Sequence, residues 1–372
     1  MNNKRIALGV IFGGRSGEHE VSLMSARSVL SVLDQQKYEI TCIGIDKEGI
    51  WWSGEHTLEA LEKGDTKSLD RVFFLPEPGK NTLYKRVQLE GHEEIVPITD
   101  LDVVFPVLHG SFGEDGTLQG FFEMADIAYV GAGVLGSAVG MDKSVFKDVM
   151  RSHQIPVVDW LTFTRKDIEN VVTDVISQCE ALADYPLFVK PANLGSSVGI
   201  SKVKNRSDLL EGLMEAARYD RRILVEKGLN AREIEVSVMG NETCHASIPG
   251  EIKPADEFYS YDAKYINDNS ELFIPAPISE EKAQYVRDLA LKAYQAIDCA
   301  GLTRVDFLMD KENDEIFLNE VNTIPGFTSI SMYPKLWEKS GVPYSDLIDR
   351  LIELAFERKI ERNKSKRTFG ED

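Results

Sequence analysis

RVDFLMDKENDEIFLNEVNTIPGFTSIS, residues Arg304–Ser331, is the stretch on which the fold of this 372-residue chain turns. Two apolar segments flank the polar tetrapeptide KEND, which reads as a hairpin turn. Side chains alternate along a strand, so Arg304, Asp306 and Leu308 share one face of the first segment. By the same rule Ile316, Leu318, Glu320 and Asn322 share a face of the second. Each row is then apolar near the turn and polar away from it, and Arg304, Asp306, Glu320 and Asn322 converge at one end of a sheet. Burying a lone charge costs several kcal/mol, so carboxylates placed there call for partners. Oxygen ligands of this type suit a hard divalent cation such as magnesium, usually shared with phosphate oxygens. A solvated strand end closed by a salt bridge accounts for the same residues without a metal.

The bulk properties narrow the choice. The length predicts two or three packed domains. With 61 acidic against 42 basic side chains the net charge is -19, a field that repels nucleic acid and anionic membrane surfaces. An anionic substrate would need a local basic patch against that field. Cys42, Cys179, Cys244 and Cys299 lie far apart with no metal-binding spacing, as in a reducing compartment. The N-terminal apolar run is too short for a signal peptide and is broken by Gly13-Gly14. No apolar run approaches the roughly 18 residues of a membrane span. These features together predict a cytoplasmic protein.

Taken in order, Ile6 to Phe12 reads as a strand buried on both faces. A loop with Glu18, His19 and Glu20 follows, then a helix with Leu23, Ala26, Leu30 and Leu33 on one stripe, then a strand from Tyr38 to Ile45. This order predicts a parallel α/β sheet with its site at the carboxyl ends of the strands, where Glu18 falls. A solvated glutamate is the plain alternative. GGRSGEHE lacks the GxGxxG spacing, which counts against a nicotinamide dehydrogenase. Residues 54–98 are charged and read as an irregular surface excursion. Asp102 to Leu108 is another apolar strand and runs into HGSFGEDGTLQG, where glycines frame His109, Glu114 and Asp115. A lone histidine is more often structural. Ile127 to Val130 is the next strand, and a Gly-rich stretch follows it.

A change of composition then marks a boundary. MDKSVFKDVMRSHQIPV opens a helix with Lys143 in its first turn, where the helix dipole disfavours a cation. A phosphate shared by Lys143 and the helix N–H groups would explain it; an exposed lysine is the bland reading. PLFVK is a strand ending in Lys190, and ANLGSSVG offers backbone N–H groups and hydroxyls to a phosphate chain, or is simply a flexible hairpin. Strands are also predicted at Ile200–Val203, at Ile223–Glu226 and across EIEVSVMG, where Glu233 and Glu235 share a face. The loop from Gly250 to Glu271 is long enough to be a lid, and Tyr259, Tyr261 and Tyr265 argue against disorder. Ser279 caps a helix running to Ile297. A last helix spans about Ser345 to Arg358, with Leu347, Leu351 and Ala355 on one stripe, and the polar tail after it reads as frayed.

From Ile6 to about Glu357 the chain resembles the D-alanine–D-alanine ligases of the ATP-grasp superfamily. FGGRSGEHEVSL, HGSFGEDGTLQG, GMDKS, FVKPANLGSSVGISKV, EKGLNAREIEV, FYSYDAKY, RVDFLMD and NEVNTIPGFTSISMYPKLW carry the resemblance, in order. It implies an α/β chain, α+β in the ATP-binding part, with an N-terminal substrate domain (1–136), a central ATP-grasp subdomain (137–230) and a C-terminal ATP-grasp domain (231–372). It implies joining of two D-alanines with ATP for the bacterial cell wall, and a homodimer. Lys143 and Lys190 would hold ATP phosphates, with Ser196 in the covering loop. Glu226, Lys227 and the backbone of Leu229 would meet the adenine, and Glu233 the ribose. Asp306, Glu320 and Asn322 would bind two magnesium ions, with manganese as an alternative and Glu320 bridging. Glu18, near His109, would take the ammonium of the first D-alanine, and Ser331 with Lys264 the carboxylate of the second. Arg304 and the N–H of Gly326 would stabilise the oxyanion. Ser196 and Tyr265 would tie the mobile loop to Glu18.

Two other functions compete. Related ligases that make D-alanyl-D-lactate depart from FYSYDAKY and place a histidine near the second subsite; here Lys264 and Tyr265 stand there without one, which favours the dipeptide. An ATP-binding regulatory module would be expected to have lost acceptor-side residues, yet Glu18, Ser196, Tyr265, Arg304 and Ser331 are all present.

Overall fold

The computed structural model describes residues 4–195, 198–253 and 271–367. β1 (Ile6–Gly13), α1 (His19–Val32) and β2 (Tyr38–Ile45) form the expected unit. β3 (Trp51–Ser53), α2 (Thr57–Lys63), β4 (Asp70–Phe74), β5 (Thr82–Leu89) and β6 (His92–Asp100) follow. β7 (Val103–Val107), α3 (Thr117–Ala125) and β8 (Ala128–Tyr129) complete an eight-stranded sheet of order β6-β5-β4-β3-β2-β1-β7-β8. β1 is apolar throughout its length because it is flanked in parallel by β2 and β7 and covered on both faces. Residues 54–98 are therefore not an irregular excursion. They carry three antiparallel strands that extend the sheet. Their charged residues mask the alternation, and β6 buries no side chain at all. Charges along such an edge also discourage pairing with other chains.

α4 (Val134–Met141) and α5 (Lys143–Ser152) connect to the second sheet. Asp142 caps α5 by accepting the Val145 N–H at 3.0 Å, and it also pairs with Arg222. β9 (Trp160–Thr164), α6 (Arg165–Leu182), β10 (Leu187–Pro191), β11 (Ser201–Val203), α7 (Arg206–Tyr219) and β12 (Arg222–Lys227) build a four-stranded antiparallel sheet of order β11-β10-β12-β9. Its core, including Phe163, Leu187, Val189, Leu213 and Val225, is its own.

β13 (Ala231–Gly240), β14 (Cys244–Ala246), β15 (Gly250–Lys253) and β16 (Glu271–Phe273) precede α8 (Glu280–Ala296). Ser279 caps α8 as expected. β17 (Gly301–Asp310) and β18 (Ile316–Asn322) form the hairpin, in a sheet of order β16-β15-β13-β17-β18 with β14 also on β13. The hairpin departs from strict alternation. Asp306 pairs with Glu320 but Phe307 pairs with Leu318, so Asn319 is an extra residue, a β-bulge. The bulge reverses parity: Ile316, Leu318 and Val321 face the core, while Glu320 and Asn322 turn to the opposite side, with Arg304 and Asp306. Ile316 and Leu318 thus do not share a face with Glu320 and Asn322.

α9 (Met332–Lys339) and α10 (Tyr344–Asn363) end the fold. α10 runs further than the sequence indicates. Beyond Arg358, Arg362 pairs with Glu123 and Asp126, and Lys359 donates to the Asp126 carbonyl at 2.6 Å. The expected frayed tail is thus helical and tied down as far as Asn363. Leu347, Ile348, Leu351, Ile352 and Ala355 pack with Leu8, Val10, Phe12 and Phe105 of the first sheet. No helix among the described residues is long and apolar enough to cross a membrane.

Candidate active site

Lys190 on β10 and Glu226 on β12 stand on adjoining antiparallel strands of the second sheet. Glu226 is buried, with Oε2 2.5 Å from the Lys190 Nζ and Oε1 2.8 Å from the Lys147 Nζ. Burial alone would raise its pKa, but the two ammonium groups outweigh burial and hold it down at about 2. Burial likewise works against the Lys190 charge, and Glu226, with Glu320 and Glu233 farther off, reverses this and raises its pKa. For Lys147, burial prevails and lowers it. Lys143, in the first turn of α5, donates to the Leu194 carbonyl at 2.8 Å and lies 3.5 Å from Glu320 Oε2. Lys143, Lys190, Glu226, Glu233 and Glu320 are thus drawn together from both sheets. Lys227 is exposed and Leu229 half-buried on the link between the sheets.

Across from them lies the polar end of the hairpin. Arg304 grips Asp306 through both oxygens (Nε–Oδ1 2.7 Å, Nη2–Oδ2 2.6 Å). Asn322 donates to Asp306 Oδ2 at 2.9 Å. Arg304 also lies 3.0 Å from Oε2 of the buried Glu235. The sequence reading noted that Glu235 shares a strand face with Glu233 but gave it no role; here it joins the Arg304 network. Among the described residues no three His, Cys, Asp or Glu side chains come together as a metal cluster. Asp306, Glu320 and Asn322 are instead two carboxylates and an amide, hard oxygen donors that fit a divalent cation completing its shell with phosphate oxygens. A cation at Asp306 competes with Arg304 for the same oxygens.

The third component lies at the carboxyl ends of β1 and β7. Glu18 is buried just before α1. A Cβ at Gly110 would sit 2.2 Å from its Oε2, and one at Gly195 3.2 Å. The carboxylate is thus wedged between the loop after β7 and the Gly-rich tip after β10. At φ +73°, Gly110 has the backbone freedom and the bare Cα that this approach requires. His109 places Nδ1 2.9 Å from the Ile324 carbonyl and Nε2 2.9 Å from Ser25 Oγ. A carbonyl only accepts, so Nδ1 carries the hydrogen. Burial lowers the His109 pKa to about 4 and keeps the ring neutral. Glu114 accepts the N–H groups of Gly110 at 2.8 Å and Ile324 at 2.9 Å, joining the β7 loop to the exit of β18. Burial and the nearby Glu18 raise its pKa to about 8. Ser25, which also accepts the Phe327 N–H at 3.2 Å, was not foreseen, because an isolated serine on an apolar helix gives no sequence signal.

Ser331 Oγ accepts the Thr328 N–H at 3.0 Å and lies 2.8 Å from Thr328 Oγ1. A Cβ at Gly326 would meet Ser331 Oγ at 2.7 Å, so these two expected residues adjoin. Ser196, Tyr259, Tyr261, Lys264 and Tyr265 lie outside the described residues.

Two family profiles match the chain: "D-ala D-ala ligase N-terminus" over residues 7–132 and "D-ala D-ala ligase C-terminus" over residues 149–353. The D-alanine–D-alanine ligase of Natranaerobius thermophilus is 49% identical over 369 residues, covering 99% of this chain and all of that one. That of Heliobacterium modesticaldum is 50% identical, covering 96% of each. Among solved structures, the D-alanine–D-alanine ligase of Coxiella burnetii superposes with a TM-score of 0.82 at 36% identity, over 97% of both chains. The VanG D-Ala:D-Ser ligase of Enterococcus faecalis gives 0.82 at 35% identity, over 95% of this chain and all of the other. With both profiles matched and half of all positions shared end to end, the chain belongs to the D-alanine–D-alanine ligase family and has its ATP-grasp fold.

Proposed function

We propose that this protein joins two D-alanine molecules to D-alanyl-D-alanine, converting ATP to ADP and phosphate, in the supply of peptidoglycan precursors. The observation that carries this reading is the meeting of three sets of residues: Lys143 of α5 with Lys190 of the second sheet, the Asp306–Glu320–Asn322 end of the third, and the buried Glu18 at the edge of the first. The reaction uses ATP and a divalent metal; two magnesium ions, or manganese, which Asp306, Glu320 and Asn322 would hold, are our finer assignment.

Lys143 and Lys190 are assigned to the phosphate chain, Glu226, Lys227 and the Leu229 backbone to the adenine, and Glu233 to the ribose. Metal at Asp306, Glu320 and Asn322 would neutralise phosphate oxygens during transfer. Glu18 is assigned to the ammonium of the first D-alanine and directs its carboxylate toward the γ-phosphate. That oxygen attacks phosphorus and ADP leaves, giving an acyl phosphate. The neutral amine of the second D-alanine, whose carboxylate is assigned to Ser331 and Lys264, then attacks the acyl carbon. Arg304 and the Gly326 N–H are assigned to stabilise the oxyanion, and phosphate departs as the amine sheds its proton. Acyl phosphates hydrolyse readily, so the site must exclude water; we assign that task to the segment with Ser196 and to the loop with Lys264 and Tyr265.

The three units 1–136, 137–230 and 231–372, a homodimer and a cytoplasmic location are also our reading. Sedimentation as a monomer at micromolar concentration would remove the dimer. A coupled phosphate-release assay with D-alanine, L-alanine, D-lactate and D-serine tests the activity. Release should require D-alanine and give the dipeptide. ATP turnover indifferent to D-alanine would overturn the reading, as would an excess of ester or D-alanyl-D-serine at neutral pH with competing acceptors.

A further inference from the structure

Lys147 has no part in the reaction as assigned above. It stands one turn after Lys143 on α5 and is fully buried, with 1% of its surface exposed. Its ammonium lies 2.8 Å from Glu226 Oε1, 3.4 Å from the Val158 carbonyl and 5.6 Å from the centre of the Trp160 ring. It reaches no solvent. Burying an ammonium is costly and is rare without a dedicated partner. Here the partner, Glu226, already has a counter-ion in Lys190. At ion-pair distance Glu226 thus holds one lysine more than its own charge requires, while Glu233 and Glu320 act on Lys190 from farther off.

The excess has a physical use if Lys190 is not always available to Glu226. Lys190 is assigned to ATP phosphate, and a lysine bound at 2.5 Å to a carboxylate must leave it, or share itself, to serve an incoming phosphate. Without a second cation, that move would strand a buried carboxylate, so Lys190 would stay with Glu226. We infer that Lys147 is a positioning residue: the fixed counter-ion of Glu226, which frees Lys190 for the nucleotide phosphate and orients the carboxylate toward the base. This rests on the assignment of Glu226 and Lys190 to ATP. A carboxylate has about four acceptor directions, so with Oε1 held by Lys147 it still accepts a base amino group. The 6-amino group of adenine donates there, while the 6-oxo group of guanine would face the negative charge. Lys147 therefore acts on nucleotide affinity and on the choice of base, not on acyl transfer.

The test is a cycle of K147M, E226Q and the double variant, with folding followed by thermal melting. Steady-state kinetics would be measured with ATP and GTP at saturating D-alanine. K147M should raise the ATP KM about tenfold or more, leave kcat within about threefold, and narrow the preference for ATP over GTP. The double variant should have the same ATP KM as E226Q alone, since Lys147 acts through Glu226. Should K147M not fold, the double variant, which buries no unpaired carboxylate, still reads the comparison with E226Q. A K147M enzyme with unchanged ATP KM, or a tenfold further rise from E226Q to the double variant, overturns the inference and leaves the nucleotide assignment standing. An E226Q enzyme with unchanged ATP KM and base preference overturns that assignment, and the inference with it.

Discussion

His109 shows what burial does to a titratable side chain. Its folded pKa of about 4 lies below the ordinary value of 6.5, so the unfolded chain takes up the proton first. Its contribution is therefore complete above pH 6.5 and is lost as pH falls toward 4. At pH 5 this amounts to about 2 kcal/mol. Denaturant unfolding of wild type and H109Q at pH 7 and pH 5 isolates it: wild type should lose about 2 kcal/mol more than the variant between the two. Equal losses would show that His109 is not the titrating group. Glu320 is tested by chemistry. E320Q keeps the shape but removes a charge facing Lys143, so melting should stay near wild type while ligation falls about a hundredfold or more. Near-normal turnover would remove Glu320 from the metal assignment. Lys190 and Asp306 stood out in the sequence because a charge on an apolar segment conflicts with its surroundings, whereas Glu18 lies in a polar loop and drew its role from the family resemblance alone. Ser25, Glu114 and Glu235 were not assigned, since each works by bonding to residues distant in the chain, and sequence spacing carries no record of such contacts.

At the scale of elements, strands and caps were read where one rule governs them. The apolar run of β1 and the Ser279 cap are local facts and stood as read. The hairpin did not, because a single inserted residue is invisible to a period of two. Asn319 reverses the parity of β18 and brings Glu320 and Asn322 to the face of Arg304 and Asp306. What matters is then the bulge that absorbs the extra residue, not the side chain of residue 319. N319A should change stability by less than about 1 kcal/mol and leave ligation near wild type. Deleting Asn319 leaves Leu318 opposite Phe307 and Glu320 opposite Asp306 in plain alternation, so Glu320 and Asn322 should keep their face, with a stability cost of about 1–3 kcal/mol and reduced but measurable ligation. Thermal melting and phosphate release read both variants. A folded deletion variant without any ligation would mean that the local bend at the bulge, and not only the facing of Glu320 and Asn322, positions the metal site.

The whole molecule resolves two apparent conflicts. A chain of charge -19 would take a polyanionic nucleotide, as we propose, through the cluster of Lys143, Lys147 and Lys190, whose present partners are Glu226 and Glu320. The division into three sheets also does not mean three independent cores. The C-terminal helix α10 places Leu347, Ile348, Leu351 and Ile352 in one cluster with Leu8, Val10 and Phe105 of the first sheet. Met239 and Leu302 of the third sheet belong to the same cluster. The second sheet keeps a separate core. The first and third sheets should therefore open together and the second sheet, with α6 and α7, on its own. Leu351 is completely buried in the shared cluster, so L351A should cost about 2–5 kcal/mol. Native-state hydrogen exchange locates the loss. Amides of β1, β7, β13 and β17 should exchange faster in L351A by a common factor, while those of β10 and β12 keep their wild-type protection. Faster exchange confined to β1 and β7 would mean that α10 serves the first sheet alone, and that the Glu18 side of the site can loosen without disturbing the strands that carry Arg304 and Asp306.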